Sequence, residues 1–242
     1  MSANILYCNS DSYGVLTDTP DGNRYSDYLG QMIKAEQVIN NGLPGSCNQR
    51  IIRTTVRDLL QIKSQNANSS ILAVICLGSL YRNEWWDPDF KPPFWCQDGH
   101  FQSFQVAGFS TRIEKHKEHY QYAKEWYRVF NDEAEQTSLL MWLNLLTAWL
   151  QTNGINYIIF AGNTVTYKKI DYDSIFVKDF AATVAADVRI LPFHDFSFAS
   201  YCVQQGFKPY DFDQYQNNGH HGDLAHKKFA EYLFSHYKKI QT

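Results

Sequence analysis

Along the chain, short apolar runs alternate with longer stretches of helical periodicity. Ile5 to Cys8 is apolar and ends in Asn-Ser-Asp-Ser, the mark of a buried strand entering a polar turn. Tyr25, Tyr28, Leu29, Met32 and Ile33 then recur at the spacing of one helix face. Val38 and Ile39 offer a second strand before Asn40-Asn41-Gly42-Leu43-Pro44-Gly45. A second helix is predicted over 48–62 from Ile51, Ile52, Val56, Leu59, Leu60 and Ile62, and Asn-Ala-Asn-Ser-Ser at 66–70 ends it. Ile71 to Leu77 is almost uninterruptedly apolar, as a strand covered on both faces must be.

The rhythm breaks at 82–111, where Trp85, Trp86, Pro88, Pro92, Pro93, Phe94 and Trp95 predict a long loop or lid rather than regular structure. Helices are predicted again over 112–130 and 133–151, the second closed by Gly154. Ile155 to Phe160 and Val188 to Leu191 are further strand candidates, and Leu224 to Ile240 is a final amphipathic helix with Ala225, Phe229, Leu233 and Tyr237 on one stripe. Alternating strands and helices imply a mostly parallel sheet with helices on both faces, whose ligand site lies at the C-terminal strand ends. The turn after the first strand, the loop after the second and the loop before the last helix are therefore expected to meet.

Composition narrows the function classes. At 242 residues, 44% hydrophobic and 19% charged, the chain reads as one globular α/β domain spanning 1–242, with the 82–111 segment as an insertion. A net charge of -3 supplies no basic field for nucleic acid. The longest apolar run, Leu139 to Leu150, is too short to span a bilayer, and the N-terminus shows no signal-peptide pattern, so a soluble, cytoplasmic or virion-associated protein is expected. Cys8, Cys47, Cys76, Cys96 and Cys202 lack metal-ligand spacing and read as reduced, buried thiols. No GxGxxG or GxxxxGK[ST] motif is present, and no organic cofactor or metal is expected. Aromatics at 16% suit a sugar-binding surface without requiring one.

Two clusters carry candidate chemistry. Asn9-Ser10-Asp11-Ser12-Tyr13-Gly14 stands where the strand-end rule places a site, and Gly219-His220-His221-Gly222-Asp223-Leu224-Ala225-His226 opens the last helix. A serine hydroxyl becomes nucleophilic when a neighbouring imidazole takes its proton, and the same imidazole can then protonate a leaving alcohol. Taken alone, Asp-Ser is a common turn, and His220, His221, His226 and Asp223 can also be read as a metal cluster. His116 and His119 with Glu114 and Glu118 read as a solvated helix face.

Together these clusters resemble the first and last blocks of the SGNH (GDSL-type) hydrolases, with Asp11-Ser12 matching Asp-Ser and Ser10 where glycine is usual. The resemblance implies a three-layer α/β/α sandwich with a flavodoxin-like central sheet, Ser12 as nucleophile and His220 as base, with His221 as the adjacent alternative. The position of the family's His-orienting aspartate is Asn217, a weaker orienter because an amide cannot stabilise imidazolium as a carboxylate does; Asp211, Asp213 and Asp195 are reserves. Gly42-Leu43-Pro44-Gly45-Ser46-Cys47-Asn48 resembles the second block, with Gly45 as oxyanion donor; a Pro-Gly turn with Asn48 capping the next helix is the structural alternative. Where the third block usually carries Gly-x-Asn-Asp, the chain has Gly78-Ser79-Leu80-Tyr81-Arg82-Asn83-Glu84, leaving Ser79, Asn48 or Arg82 to supply the missing donor. Divergent members with these features look like those of bacteriophages. The expected activity is a serine esterase acting on an acylated small molecule or carbohydrate through an acyl-enzyme; a catalytically weakened binding or structural module and an O-acyltransferase are the rivals. The tryptophans of 82–111 read equally as a lid or as a local core.

Overall fold

The computed structural model describes residues 3–15, 22–86, 101–105, 125–126, 128–163, 178–193, 195–209 and 220–241. Four parallel strands, β1 (Ile5–Asn9), β2 (Gln37–Asn40), β3 (Ile71–Leu77) and β6 (Asn156–Ala161), form one sheet in the order β2-β1-β3-β6. Isolated parallel bridges, Ile159 to Ile190 and Ala161 to Ser197, continue it beyond β6. This is a doubly wound order, in which the direction of strand addition reverses between β1 and β3.

The two faces of the sheet follow from the period-two alternation of strands. Ile5, Tyr7, Ala73, Ile75, Tyr157 and Ile159 point to one side and bury under α2 (Asn48–Gln65), α3 (Asp132–Thr152) and α4 (Lys178–Ala186). Leu6, Cys8, Leu72, Val74, Cys76, Ile158 and Phe160 point to the other, under α1 (Tyr25–Ile33), α5 (Phe198–Gln204) and α6 (Asp223–Ile240). The expected three-layer α/β/α arrangement is thus present, and every residue of β3 is buried because both its faces are covered.

Several expectations need correction. The 82–111 segment contains regular structure: β4 (Arg82–Trp86) and β5 (Phe101–Gln105) pair as an antiparallel ribbon in register from Arg82 opposite Gln105 to Trp86 opposite Phe101. The aromatic residues that suggested a loop are also good strand formers, and the prolines fall beyond Trp86. Val188 to Leu191 is not a full strand but a single bridge. Asp187 folds the chain locally by accepting from the Arg189 N–H at 3.0 Å, and Pro192 follows without a donor. Cys47, not Asn48, caps α2, its sulfur accepting from the Arg50 N–H, and Asn48 is the first helical residue. The helix expected over 112–130 and the cluster of His116, His119, Glu114 and Glu118 lie outside the described residues, or almost so, as do Asp211, Asp213, Asn217 and Cys96. The other four cysteines are buried and not paired in disulfides.

One polar residue fixes the end of β1. Asn9 is fully buried, and its amide donates to the Ile51 carbonyl at 2.9 Å, to Thr54 Oγ1 at 2.8 Å and to Thr55 Oγ1 at 3.0 Å, while its Oδ1 accepts from the Ser10 N–H at 2.9 Å. The first residue of the polar turn is therefore tied to α2. Removing this amide leaves several buried polar groups unsatisfied, so Asn9→Ala is expected to lower unfolding free energy by about 2–3 kcal/mol, measurable as a fall in denaturant midpoint at unchanged slope.

Candidate active site

Beyond β1 the chain turns sharply. Ser12–Gly14 forms a single 3-10 turn, and Asp11 caps it by accepting from the Tyr13 N–H at 3.0 Å. The serine at the usual glycine position is accommodated by glycines around it: a Cβ at Gly14 or Gly42 would lie 2.1 or 2.3 Å from Ser10 Oγ. The loop after β2 is bonded to this turn through the Leu43 N–H and the Ser10 carbonyl at 3.0 Å. Ser12 is 6% exposed.

The end of β3 closes against the same place. A Cβ at Gly78 would meet the Ser46 carbonyl oxygen at 2.7 Å and the Asp11 Cβ at 3.6 Å, so only glycine lets these backbones approach. The Gly78 N–H donates to Asn48 Oδ1 at 2.8 Å, which turns the Asn48 amide towards the third block. Ser79 Oγ accepts from the Tyr81 N–H at 3.1 Å and so shapes the turn into β4. Arg82, at the start of β4, reaches back: its Nη1 donates to Asp11 Oδ2 at 2.8 Å and to the Ser46 carbonyl at 3.4 Å. The acid beside Arg82 is therefore Asp11 rather than Glu84, which instead takes a two-point contact from Arg53 at 3.0 and 2.8 Å. Burial pushes the Asp11 carboxyl above the usual carboxylate range, outweighing the pull of Arg82 in the other direction.

His220 arrives from the loop before α6. Its ring stacks on Tyr13 at 5.0 Å between centroids and 29° between planes. Burial, with the Arg82 charge second and His221 third, lowers its pKa to about 4. Its charged form is thus disfavoured in the folded chain. Stability contributed by keeping this ring neutral is present above about pH 6.5 and is lost as pH falls through about 4. Any reaction using neutral His220 as a base is expected to show an acid limb near pH 4 in kcat/KM rather than near 6.5, and a plateau across neutral pH; a pH–rate series from 3.5 to 8 checks this.

Among the described residues, His221 and His226 make their contacts elsewhere. His221 is buried edge-on against Phe198 at 5.8 Å and bonds the Lys208 carbonyl. His226 Nδ1 accepts from the Tyr25 N–H at 3.2 Å, satisfying the first turn of α1, and Asp223 accepts from the Asn23 N–H and the Tyr28 hydroxyl. Among the described residues no group of three or more His, Cys, Asp and Glu is disposed around a point where a metal ion would sit.

The strand ends thus bring together Asp11, Ser12, Asn48, Ser79, Arg82 and His220, with Gly45 in the adjoining loop. Gly45 has φ +84, the left-handed region that favours glycine, in an exposed turn. Tyr13 and Asn163 were not singled out from sequence. Asn163 Nδ2 donates to the Tyr13 hydroxyl at 3.0 Å, and the signal that pointed there was its place just past the C-terminal end of a predicted strand. A separate groove of about 610 Å³, lined by Ile52, Val56, Trp142, Leu145 and Trp149 among others, lies between α2 and α3 and includes none of the site residues.

Solved structures similar to the chain include an esterase from Pseudoalteromonas sp., at 11% identity and TM-score 0.49, covering 98% of each chain. A G-D-S-L family protein from Desulfitobacterium hafniense DCB-2 follows at 13% and 0.47, over 96% of this chain and 99% of the other. A catalytic mutant of an acetylxylan esterase from Geobacillus stearothermophilus stands at 13% and 0.48, over 97% of this chain and 94% of the other. No curated protein sequence matches the chain. One family model does, over residues 9–174, a span that holds Ser12, Gly45, Asn48, Arg82 and Asn163 and stops short of His220. That match takes in well over half of the sequence, and the chain belongs to the family it describes, DUF6071, a family of unknown function.

Proposed function

We propose that the chain is a serine ester hydrolase of SGNH type acting on a small O-acyl ester, with an acylated sugar as the substrate class. The observation that carries this reading is the stack of His220 on Tyr13, which holds the imidazole beside the residue next to Ser12 across 207 positions of sequence. Ser12 Oγ attacks the ester carbonyl carbon as its proton passes to His220. The tetrahedral intermediate collapses to an acyl-enzyme while His220 returns the proton to the leaving alcohol. Water then repeats the sequence, releasing the carboxylic acid and free Ser12. The developing oxyanion is met by backbone N–H groups of Ser12 and Gly45, with the Asn48 amide and the Arg82 guanidinium as the polar groups at the third block. Asn217, outside the described residues, is the candidate weak orienter of His220.

Hydrolysis of a short-chain aryl ester and of peracetylated sugars by purified chain, with and without an added alcohol, tests this. Release of acid that an alcohol does not divert is the expected result. Diversion of the acyl group to the alcohol makes the chain an O-acyltransferase. A binding or structural module, in a phage particle for example, is the second reading. It is favoured by the commitment of the Gly78 N–H to Asn48 and by Ser79 Oγ accepting from Tyr81. No turnover by folded chain leaves that reading in place.

A further inference from the structure

We infer that Tyr13 is a positioning residue for His220, held in turn by Asn163. This rests on the esterase reading of the site. One backbone bond and three ring contacts hold Tyr13. Its backbone N–H is bonded to Asp11 Oδ1, one edge lies against Gly162, where a Cβ would be 2.8 Å from the ring, Phe198 meets it edge-on at 6.4 Å, and Asn163 Nδ2 donates to its hydroxyl at 3.0 Å. These contacts place the ring with its face against His220.

The placement matters because Tyr13 follows Ser12 directly. The ring that orients the imidazole and the hydroxyl it is to deprotonate start from adjacent residues of one 3-10 turn, and Gly162, Asn163 and Phe198 then hold the ring in place. The stack also acts on charge. When His220 takes the Ser12 proton it becomes a cation over an aromatic face, an arrangement that favours the charged state formed in the transition state over the neutral ground state. Burial keeps the Tyr13 phenol itself protonated, so it contributes a face and an anchor point rather than a proton. Asn163 comes from the end of β6 and Tyr13 from the end of β1, two strands apart, so the sheet itself sets the plane of the ring.

Tyr13→Phe, Tyr13→Leu and Asn163→Ala test this, with kcat and KM on a short-chain aryl ester and the His220 ring-proton resonances, assigned with His220→Gln, as readouts. Tyr13→Phe keeps the face but loses the Asn163 bond and is expected to lower kcat by about 3- to 10-fold, whereas Tyr13→Leu, which loses the face as well, is expected to lower it by about 10- to 100-fold with KM within about twofold. Asn163→Ala, which leaves the ring in place but unanchored, is expected to lower kcat by about 3- to 10-fold and stands in should Tyr13→Leu not fold. The His220 ring protons, shifted upfield by the face of Tyr13, are expected to keep that shift in Tyr13→Phe and lose it in Tyr13→Leu. A folded Tyr13→Leu or Asn163→Ala chain with unchanged kcat overturns the inference, as does a rise in KM alone, which makes Tyr13 a substrate contact. If the wild-type chain hydrolyses no ester, the esterase reading fails by itself. The resonances then decide whether the stack exists, and identical His220 shifts in wild type and Tyr13→Leu overturn it.

Discussion

Ser12→Ala and His220→Ala are each expected to reduce ester hydrolysis by three orders of magnitude or more, on the order of 10³-fold at least, and the double variant is expected to lose little beyond either single one. The two groups perform one proton transfer, so removing either ends the same step, and the losses do not add. Stability is expected to respond differently. Ser12 sits in a turn capped by Asp11 rather than by its own hydroxyl, and Ser12→Ala is expected to leave the denaturant midpoint nearly unchanged. His220→Ala removes a ring stacked on Tyr13 and is expected to cost about 1 kcal/mol or somewhat more. Steady-state kinetics on both singles and the double, with urea unfolding of each, checks the pattern. Additive losses would place the two residues in separate steps.

Arg82→Met carries the second large effect. The Asp11 side chain is 2% exposed and that of Arg82 13%, and their contact at 2.8 Å is the ion pair at the centre of the site. Taking the guanidinium away leaves a carboxyl buried without its cation, a change that in buried pairs costs about 3–5 kcal/mol, because the desolvation already incurred is no longer compensated. Asp11 is expected to take up a proton in response, since burial already pushes its carboxyl upward and Arg82 is the charge that opposes this. The loss is therefore expected to shrink as pH falls, and Asp11→Asn in the same chain is expected to recover part of it at neutral pH. Catalysis changes as well. Arg82 is the second cause of the depressed His220 pKa, so the acid limb of kcat/KM is expected to move from about 4 towards 6.5 while kcat falls with the loss of a cation near the developing oxyanion. Urea unfolding at two pH values and a pH–rate series for wild type, Arg82→Met and Asp11→Asn/Arg82→Met measure both arms.

Much of the scaffold was legible because it is written in burial. Strand β3 shows its covered position in seven successive apolar residues, and the alternation of β1 between the two cores follows from Ile5 and Tyr7 against Leu6 and Cys8. The strand-end rule then placed Asp11-Ser12 and the His220 loop on one side of the sheet. What escaped was set by contacts distant in sequence. No local pattern distinguishes Arg82 paired with Asp11 from Arg82 paired with Glu84, since that choice depends on how the turn after β3 aims the side chain across 71 positions. The ribbon of β4 and β5 was hidden because its aromatic residues suit a loop and a strand alike. The sequence left Asn48 open between a helix cap and a polar donor for the site; Cys47 takes the cap position, and the Asn48 amide meets Gly78. Asn163 gives no sign beyond its place just past a predicted strand, and its contact appears only once β6 is seen to end beside Tyr13.

The central claim is that Ser12 is activated by His220, and labelling of the purified chain with a fluorophosphonate probe tests it most directly. Covalent modification of Ser12, identified by peptide mass and absent from both Ser12→Ala and His220→Ala, is the predicted result. A folded chain that takes up no label at Ser12, or takes it up equally well without His220, would contradict it.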